Sequence, residues 1–101
     1  MKKDLYKIIK EDLKKHCSNV KYFNREFFKE FCAAQKRRNE IYKNGVWNLE
    51  ELEKERYTDE NGIIKLHYYD NIYKSDFYNK NSCAFCVFLE VAYNYEKLIA
   101  A

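Results

Sequence analysis

The chain has 101 residues, a net charge of +3, an apolar fraction of 47% and an aromatic fraction of 18%. This length suits one hydrophobic core, and the aromatic content argues against a disordered chain although 35% of the residues are charged. Proline is absent and glycine occurs only at positions 45 and 62, which excludes a glycine-rich phosphate loop and a flexible linker. We therefore expect a single globular domain over residues 1–101.

The N-terminal stretch MKKDLYKIIKEDLKK mixes charged and apolar residues and never becomes the apolar run of a secretion signal. No stretch approaches the roughly 20 consecutive apolar residues that cross a bilayer. We therefore expect a cytoplasmic protein without a membrane partner. In that compartment the four cysteines are expected to be thiols or metal ligands rather than disulfides.

The charge is unevenly distributed along the chain. Residues 1–45 contain 13 Lys and Arg against 6 Asp and Glu, a net of +7, whereas residues 46–101 contain 6 against 10, a net of −4. This asymmetry would either hold the two halves together or present a basic face to an acidic partner.

Two amphipathic helices are predicted in the basic half. The first spans residues 3–17 and places His16 on its apolar side. The second begins after Asn24 as its N-cap, runs to about Lys43 and is ended by Asn44-Gly45. Its buried side is expected to contain Phe27, Phe28, Phe31, Ala34, Gln35, Ile41 and Tyr42.

Each of these helices carries basic residues on the side opposite its apolar residues. The spacing predicts one stripe on the first helix and another on the second, where Lys43 continues the line of Arg25, Lys29 and Lys36 and Arg37 lies nearby. Such stripes could neutralise phosphates or contact an acidic protein, although helices commonly carry lysine toward solvent. The candidate binding residues are Lys3, Lys7, Lys10, Lys14, Arg25, Lys29, Lys36 and Arg37.

The middle of the chain predicts a short acidic helix and a hairpin. Asn48 suits the N-cap of a helix from Leu49 to about Arg56, with Trp47 packing this helix on the core. Asn61-Gly62 suits a type I′ turn between two strands. The register expected from that turn pairs Glu60 with Ile63, Thr58 with Lys65 and Arg56 with His67, and turns Ile64, Leu66 and Tyr68 toward the core.

Tyrosines are dense between residues 57 and 78, where Ser75 also suits a helix cap. They offer stiff, amphipathic contact area of the kind found at interface hot spots. The alternative is that a low-GC coding bias has raised the tyrosine content. The candidate binding tyrosines are Tyr57, Tyr68, Tyr69, Tyr73 and Tyr78.

The stretch Ser82–Ala101 contains the densest apolar run and is predicted to be a buried C-terminal helix capped by Ser82. Residues 83–95 also alternate with period two, but their length favours a helix over a strand. Cys83 and Cys86 lie at the start of this helix. They are candidate zinc ligands, to be completed by Cys17, Cys32 or His16, or a redox pair, or thiols without a role.

No pattern in the sequence marks a catalytic site, because His16 and His67 have no nucleophile at a meaningful spacing. We expect a protein that is not an enzyme and needs no cofactor, with an α+β fold made of the N-terminal helical pair, the small β-hairpin around Asn61-Gly62 and the buried C-terminal helix. The leading hypothesis is a binding protein whose partner is another protein or a protein–nucleic-acid complex. One version is a phage or mobile-element inhibitor of a host defence complex, similar in role to an anti-CRISPR protein. The alternatives are a small nucleic-acid-binding or regulatory protein and a zinc- or thiol-dependent protein.

Overall fold

The structure, a computed structural model, describes residues 4–99 and is mostly helical, with two small antiparallel strand pairs. The predicted α+β fold is therefore confirmed. A 3₁₀ turn, His67–Tyr69, precedes the fourth helix. The elements in chain order are α1 (Leu5–Lys14), α2 (Arg25–Ile41), β1 (Tyr42–Lys43), β2 (Val46–Trp47), α3 (Leu49–Glu55), β3 (Arg56–Thr58), β4 (Ile64–Leu66), α4 (Asp70–Tyr73), α5 (Asp76–Lys80), α6 (Ser82–Tyr93) and α7 (Glu96–Ile99).

Side-chain caps determine where several helices begin. Asn24, Asn48 and Ser75 accept hydrogen bonds from first-turn amides of α2, α3 and α5, as predicted. Asp4 does the same for α1, which ends at Lys14. His16 therefore lies beyond the helix and is exposed, so its predicted place on an apolar helix face is wrong.

Phenylalanines from distant parts of the chain form the centre of the core. Phe23, Phe77 and Phe88 are almost completely buried, and the ring of Phe23 lies 5.1 Å from that of Phe88 and 5.6 Å from that of Phe77. Phe23 belongs to the connection between α1 and α2, so this loop contributes to the core together with the helices. In this arrangement α1 and α5 pack on α6, while α2 packs on the 3₁₀ turn and α4.

The first and last parts of the described chain meet at the α1–α6 contact. Ile9 and Leu13 of α1 are completely buried there, and the Tyr95 hydroxyl donates a hydrogen bond to the Asp12 carboxylate. This bond joins residues that are 83 positions apart in the sequence. The core is therefore closed by elements from both ends.

The two Asn-Gly pairs form different turns from those expected. Asn44 and Gly45 have φ values of 54° and 79° and connect β1 to β2 in a two-residue hairpin turn, with Lys43 opposite Val46. Positive φ at both central residues defines a type I′ turn. The tight turn predicted at Asn61-Gly62 thus occurs at Asn44-Gly45, where the sequence pattern predicts only the end of a helix.

The hairpin around Asn61-Gly62 exists, but its predicted register is wrong. Arg56 pairs with Leu66, Tyr57 with Lys65 and Thr58 with Ile64, leaving a five-residue loop over 59–63. The reason is Asp59, whose carboxylate accepts bonds from the Asn61 and Ile63 amides at 2.8 and 2.9 Å. A shift of one residue moves side chains to the opposite face. Ile64, expected in the core, is accordingly 58% exposed.

The C-terminal region is helical as predicted, but it is divided into two helices. Asn81, not Ser82, occupies the N-cap position of α6, and its side chain donates to the Asn19 carbonyl instead of capping. The helix ends at Tyr93 and is followed by α7. Trp47 is expected to pack α3 on the core, but it is 39% exposed, and its ring contacts that of Tyr42 at an angle of 51°. The predicted Ser82 cap and the single C-terminal helix are therefore wrong, and Trp47 is not buried in the core.

The molecule measures 39 × 36 × 20 Å. Because a helix with its side chains is about 10–12 Å across, the thin dimension holds about two helices. In a molecule about two helices thick, a helix has one buried and one exposed side. This holds for α6 as well, despite its apolar composition. None of the helices within residues 4–99 is long and apolar enough to span a bilayer.

Candidate interaction surface

Two of the predicted binding arginines form ion pairs within the fold. The Arg25 guanidinium contacts the Asp4 carboxylate at 2.6 Å, and the hydrogen bond raises the pKa of Arg25 and lowers that of Asp4. Arg37 contacts Glu51 at 3.0 Å and Glu55 at 3.3 Å, which ties α2 to α3. These hydrogen bonds raise the pKa of Arg37. Both arginines therefore have structural partners.

The predicted lysine stripes are interrupted by acidic residues. On α2, the exposed face contains Glu26 and Glu40 beside Lys29 and Lys36. On α1, Lys14 pairs with Glu11 at 3.4 Å, and the Lys10 ammonium donates to the Tyr6 hydroxyl at 3.2 Å. Lys7 is exposed, and Lys3 lies outside the described residues. Both faces therefore carry mixed charge.

The predicted binding tyrosines form a chain of ring contacts along the polar half of the molecule. Tyr68 contacts Tyr69, Tyr69 contacts Tyr73 and Tyr73 contacts Tyr78, at centroid distances of 6.3, 5.4 and 5.8 Å. All except Tyr78 are half-buried, and burial raises the pKa of Tyr69 to about 12. Most of their contact area is therefore used within the fold.

Tyr57 belongs to a separate cluster. Its hydroxyl donates to Asp70 at 2.6 Å, and its ring stacks on that of His67 at 4.1 Å. The hydrogen bond to the Asp70 carboxylate raises the pKa of Tyr57 to about 12. Asp70 also contacts Nδ1 of His67 at 3.1 Å. Burial opposes ionisation of Asp70, but the bonds from Tyr57 and His67 lower its pKa. The cluster holds the β3–β4 hairpin on α4.

Cys83 and Cys86 are both exposed at the start of α6. Cys17 and Cys32 are half-buried elsewhere, and burial raises the pKa of the Cys32 thiol. Within the described residues, no three His, Cys, Asp or Glu side chains are placed to hold one metal ion. The zinc and redox hypotheses for Cys83 and Cys86 stay predictions.

A groove of about 570 Å³ runs between α2 and the C-terminal helices. We call it the α2–α6 groove. From α2 and β1 it is lined by Phe31, Gln35, Arg38, Asn39 and Tyr42. From α6 and α7 it is lined by Leu89, Ala92, Tyr93, Glu96, Lys97 and Ile99. Its volume is within the usual range of protein binding pockets, about 300–1,000 Å³.

The groove continues onto an exposed apolar strip of α6 formed by Cys86, Leu89 and Tyr93. These residues are three and four positions apart and so share one side of the helix. Leu89 is 39% exposed and Tyr93 is 71% exposed. Glu90, the only residue with a formal charge in Ser82–Tyr93, is exposed and lies four positions after Cys86 and three before Tyr93, so it borders this face. This face, the α6 strip, is therefore apolar with one carboxylate at its edge.

Arg38 lies in the wall of the groove, held by two aromatic rings. Its Cζ atom is 5.0 Å from the ring centre of Tyr42 and 5.8 Å from that of Trp47. Those rings are themselves 4.6 Å apart. The guanidinium donates to the Asn39 side chain at 3.3 Å, and no carboxylate among residues 4–99 forms an ion pair with it. Arg38 thus differs from Arg37, its neighbour in the sequence.

Sequence reasoning missed this surface. It assigned α6 to the core, since a helix that is apolar around most of its circumference gives no signal for the side that stays exposed. The spacing of Cys86, Leu89 and Tyr93 was available as a signal. The opposite side, with Phe88 and Val91, is equally apolar, so the pattern could not distinguish the two.

Comparison of the chain with protein-family models, with curated proteins and with solved structures found no match in any of the three.

Proposed function

We propose that the protein is a non-enzymatic binding protein that docks onto another protein through the α6 strip and the α2–α6 groove. The observation that carries this proposal is the exposure of Leu89 and Tyr93 beside a groove whose lining within residues 4–99 includes a single carboxylate, Glu96. Contiguous exposed apolar surface next to polar residues is typical of protein interaction sites.

The composition of this surface supports a protein partner. Tyrosine, tryptophan and arginine are the residue types most enriched at interface hot spots, and Tyr93, Trp47 and Arg38 lie in or beside the groove. A nucleic-acid interface would need several cations to neutralise phosphates. Among the described residues, the groove lining has only two cations, Arg38 and Lys97, and these are opposed by Glu96.

The narrower version of the proposal is an inhibitor from a phage or mobile element that occupies a site on a host defence complex. Its support is the small size of the chain and the absence of a catalytic pattern in the sequence. An inhibitor of this kind needs only a surface that competes for a partner, which the α6 strip offers.

The proposal is tested by capture from a lysate of the native host with nuclease present. We expect wild-type protein to retain a discrete protein partner and the double variant Leu89→Ser, Tyr93→Ser to lose it. The control is Lys29→Ser, Lys36→Ser, which changes two exposed residues of α2 outside the groove. Unchanged capture by the groove variant, with its fold verified by circular dichroism, would overturn the proposal. Recovery of nucleic acid alone would support the lysine-based alternative instead.

A further inference from the structure

The strongest unexplained feature of the groove is the unneutralised charge of Arg38. A guanidinium has five N–H donors in one plane, and only the bond to Asn39 is made within the described chain. Contacts with Tyr42 and Trp47 restrict the positions that the side chain can take. An arginine fixed in this way is preorganised for a planar, bidentate acceptor such as a carboxylate.

Arg37, the neighbour of Arg38 in the sequence, has its charge neutralised within the fold. It is half-buried, and three glutamates, Glu40, Glu51 and Glu55, lie within 4 Å of its guanidinium. Arg38 is also half-buried but has no such partner within residues 4–99. The rings of Tyr42 and Trp47 offset part of the cost of removing this cation from water, but they leave most of its N–H donors without an acceptor among residues 4–99. The arrangement points to an anion supplied from outside.

The base of the groove is apolar. Phe31, Ala92 and Ile99 are buried there, and Leu89 and Tyr93 form the exposed wall. The groove lies between α2 and the C-terminal helices, and a third helix can lay its side chains into such a groove. With Arg38 and Lys97 against Glu96, the part of the lining that the structure describes has one net positive charge.

We infer that the α2–α6 groove binds an acidic amphipathic helix of the partner protein, with its apolar side chains against Leu89, Ala92 and Tyr93 and a carboxylate on Arg38. This inference rests on the proposed function and specifies the partner's binding segment. A second copy of this chain fits less well, because isologous pairing of the same face would bring two positively charged groove linings together.

The experiment uses the full chain and a displayed library of random peptides on a helical scaffold. Peptides are selected on wild-type protein and then measured against Arg38→Glu and against Lys36→Glu. Lys36→Glu is a matched control, since it makes the same change of charge on the same helix outside the groove. A Tyr93→Ser variant shows whether each peptide occupies the groove.

We expect the selected peptides to combine apolar residues at helical spacing with Asp or Glu. Arg38→Glu should raise their Kd by about tenfold or more, since it places two carboxylates against each other, while Lys36→Glu changes it by less than about twofold. Arg38→Lys should give an intermediate loss, since lysine keeps the charge but not the bidentate fork. Exchanging the peptide's key acidic residue for Lys should restore binding to Arg38→Glu.

The other outcomes separate the two proposals. Peptides that need Tyr93 but carry no acidic residue, and bind Arg38→Glu as well as wild type, would overturn this inference and leave the proposed function standing. If no selected peptide depends on Tyr93, both are overturned. A wild-type dimer in light scattering that Tyr93→Ser dissociates would replace the acidic helix with a second copy of the chain. Tighter binding of an oligonucleotide than of any peptide, lost in Arg38→Glu, would make the anion a phosphate.

Discussion

Replacing Phe88 and Tyr93 separately by alanine tests whether α6 has one buried and one exposed side. Both substitutions remove an aromatic ring from the same helix. Phe88 is completely buried, and its ring lies 4.8 Å from that of Phe31, 5.1 Å from that of Phe23 and 5.3 Å from that of Phe27. Tyr93 is 71% exposed. The two changes should therefore differ greatly in their effect on stability.

The expected magnitudes follow from burial. Phe→Ala in a packed core costs about 3–5 kcal/mol because it removes apolar contacts and leaves a cavity. A domain of this size has a total unfolding free energy of about 5–15 kcal/mol, so Phe88→Ala removes a large part of it. Each kcal/mol lowers the Tm of such a domain by at least about 4 °C, so we expect a drop of at least about 12 °C. Tyr93→Ala should change the unfolding free energy by about 0.5 kcal/mol or less.

The assay is urea unfolding followed by circular dichroism, with thermal unfolding as a second measurement. The same Tyr93→Ala protein should then lose at least about 2 kcal/mol of partner binding, as hot-spot tyrosines do. Equal destabilisation by the two substitutions would refute the reasoning, because Tyr93 would then be packed in the fold and unavailable to a partner.

Three further predictions concern the charged and thiol groups. Arg37→Met should lower Tm, since it leaves Glu51 and Glu55 without their cation. The control Lys36→Met should leave Tm unchanged, and an equal Tm for the two variants would contradict the assigned role of Arg37. The hydrogen bonds from the loop amides and Lys65 lower the pKa of Asp59 below its ordinary value of 3.8. The ionised Asp59 carboxylate therefore stabilises the fold above pH 3.8, and this stabilisation is lost as the pH falls through the lowered pKa. Asp59→Asn should therefore reduce the acid sensitivity of Tm, and an unchanged pH profile would argue against the five-residue loop. A chelator should leave Tm unchanged, and near-stoichiometric zinc in purified protein would instead revive the metal hypothesis for Cys83 and Cys86.

The local signals in the sequence predicted local structure well. Asn24, Asn48 and Ser75 cap helices as expected because a cap depends on residues only three positions away. The hairpin register was predicted wrongly because two local signals compete there. Asn-Gly predicts a tight turn, but Asp59, two residues earlier, accepts two amide bonds and stabilises a longer loop.

The candidate surface depends on contacts between residues far apart in the sequence, which no local pattern encodes. Arg37 and Arg38 look alike in the sequence, yet Arg37 faces α3 and its glutamates while Arg38 faces Tyr42 and Trp47. Their roles separate only when α2 is placed beside its neighbours. The same holds for α6, whose exposed side is determined by which side α1 and α5 cover.

The contact between α1 and α6 has a consequence for synthesis on the ribosome. Ile9 and Leu13 find their partners only after α6 has been made, some 70 residues later. At roughly 5–20 residues per second, this delay lasts about 4–14 s. During that time Phe23, Phe27 and Phe31 are already synthesised but cannot be covered by Phe88. The nascent chain is therefore exposed to aggregation and to chaperone binding until its C-terminal helices emerge.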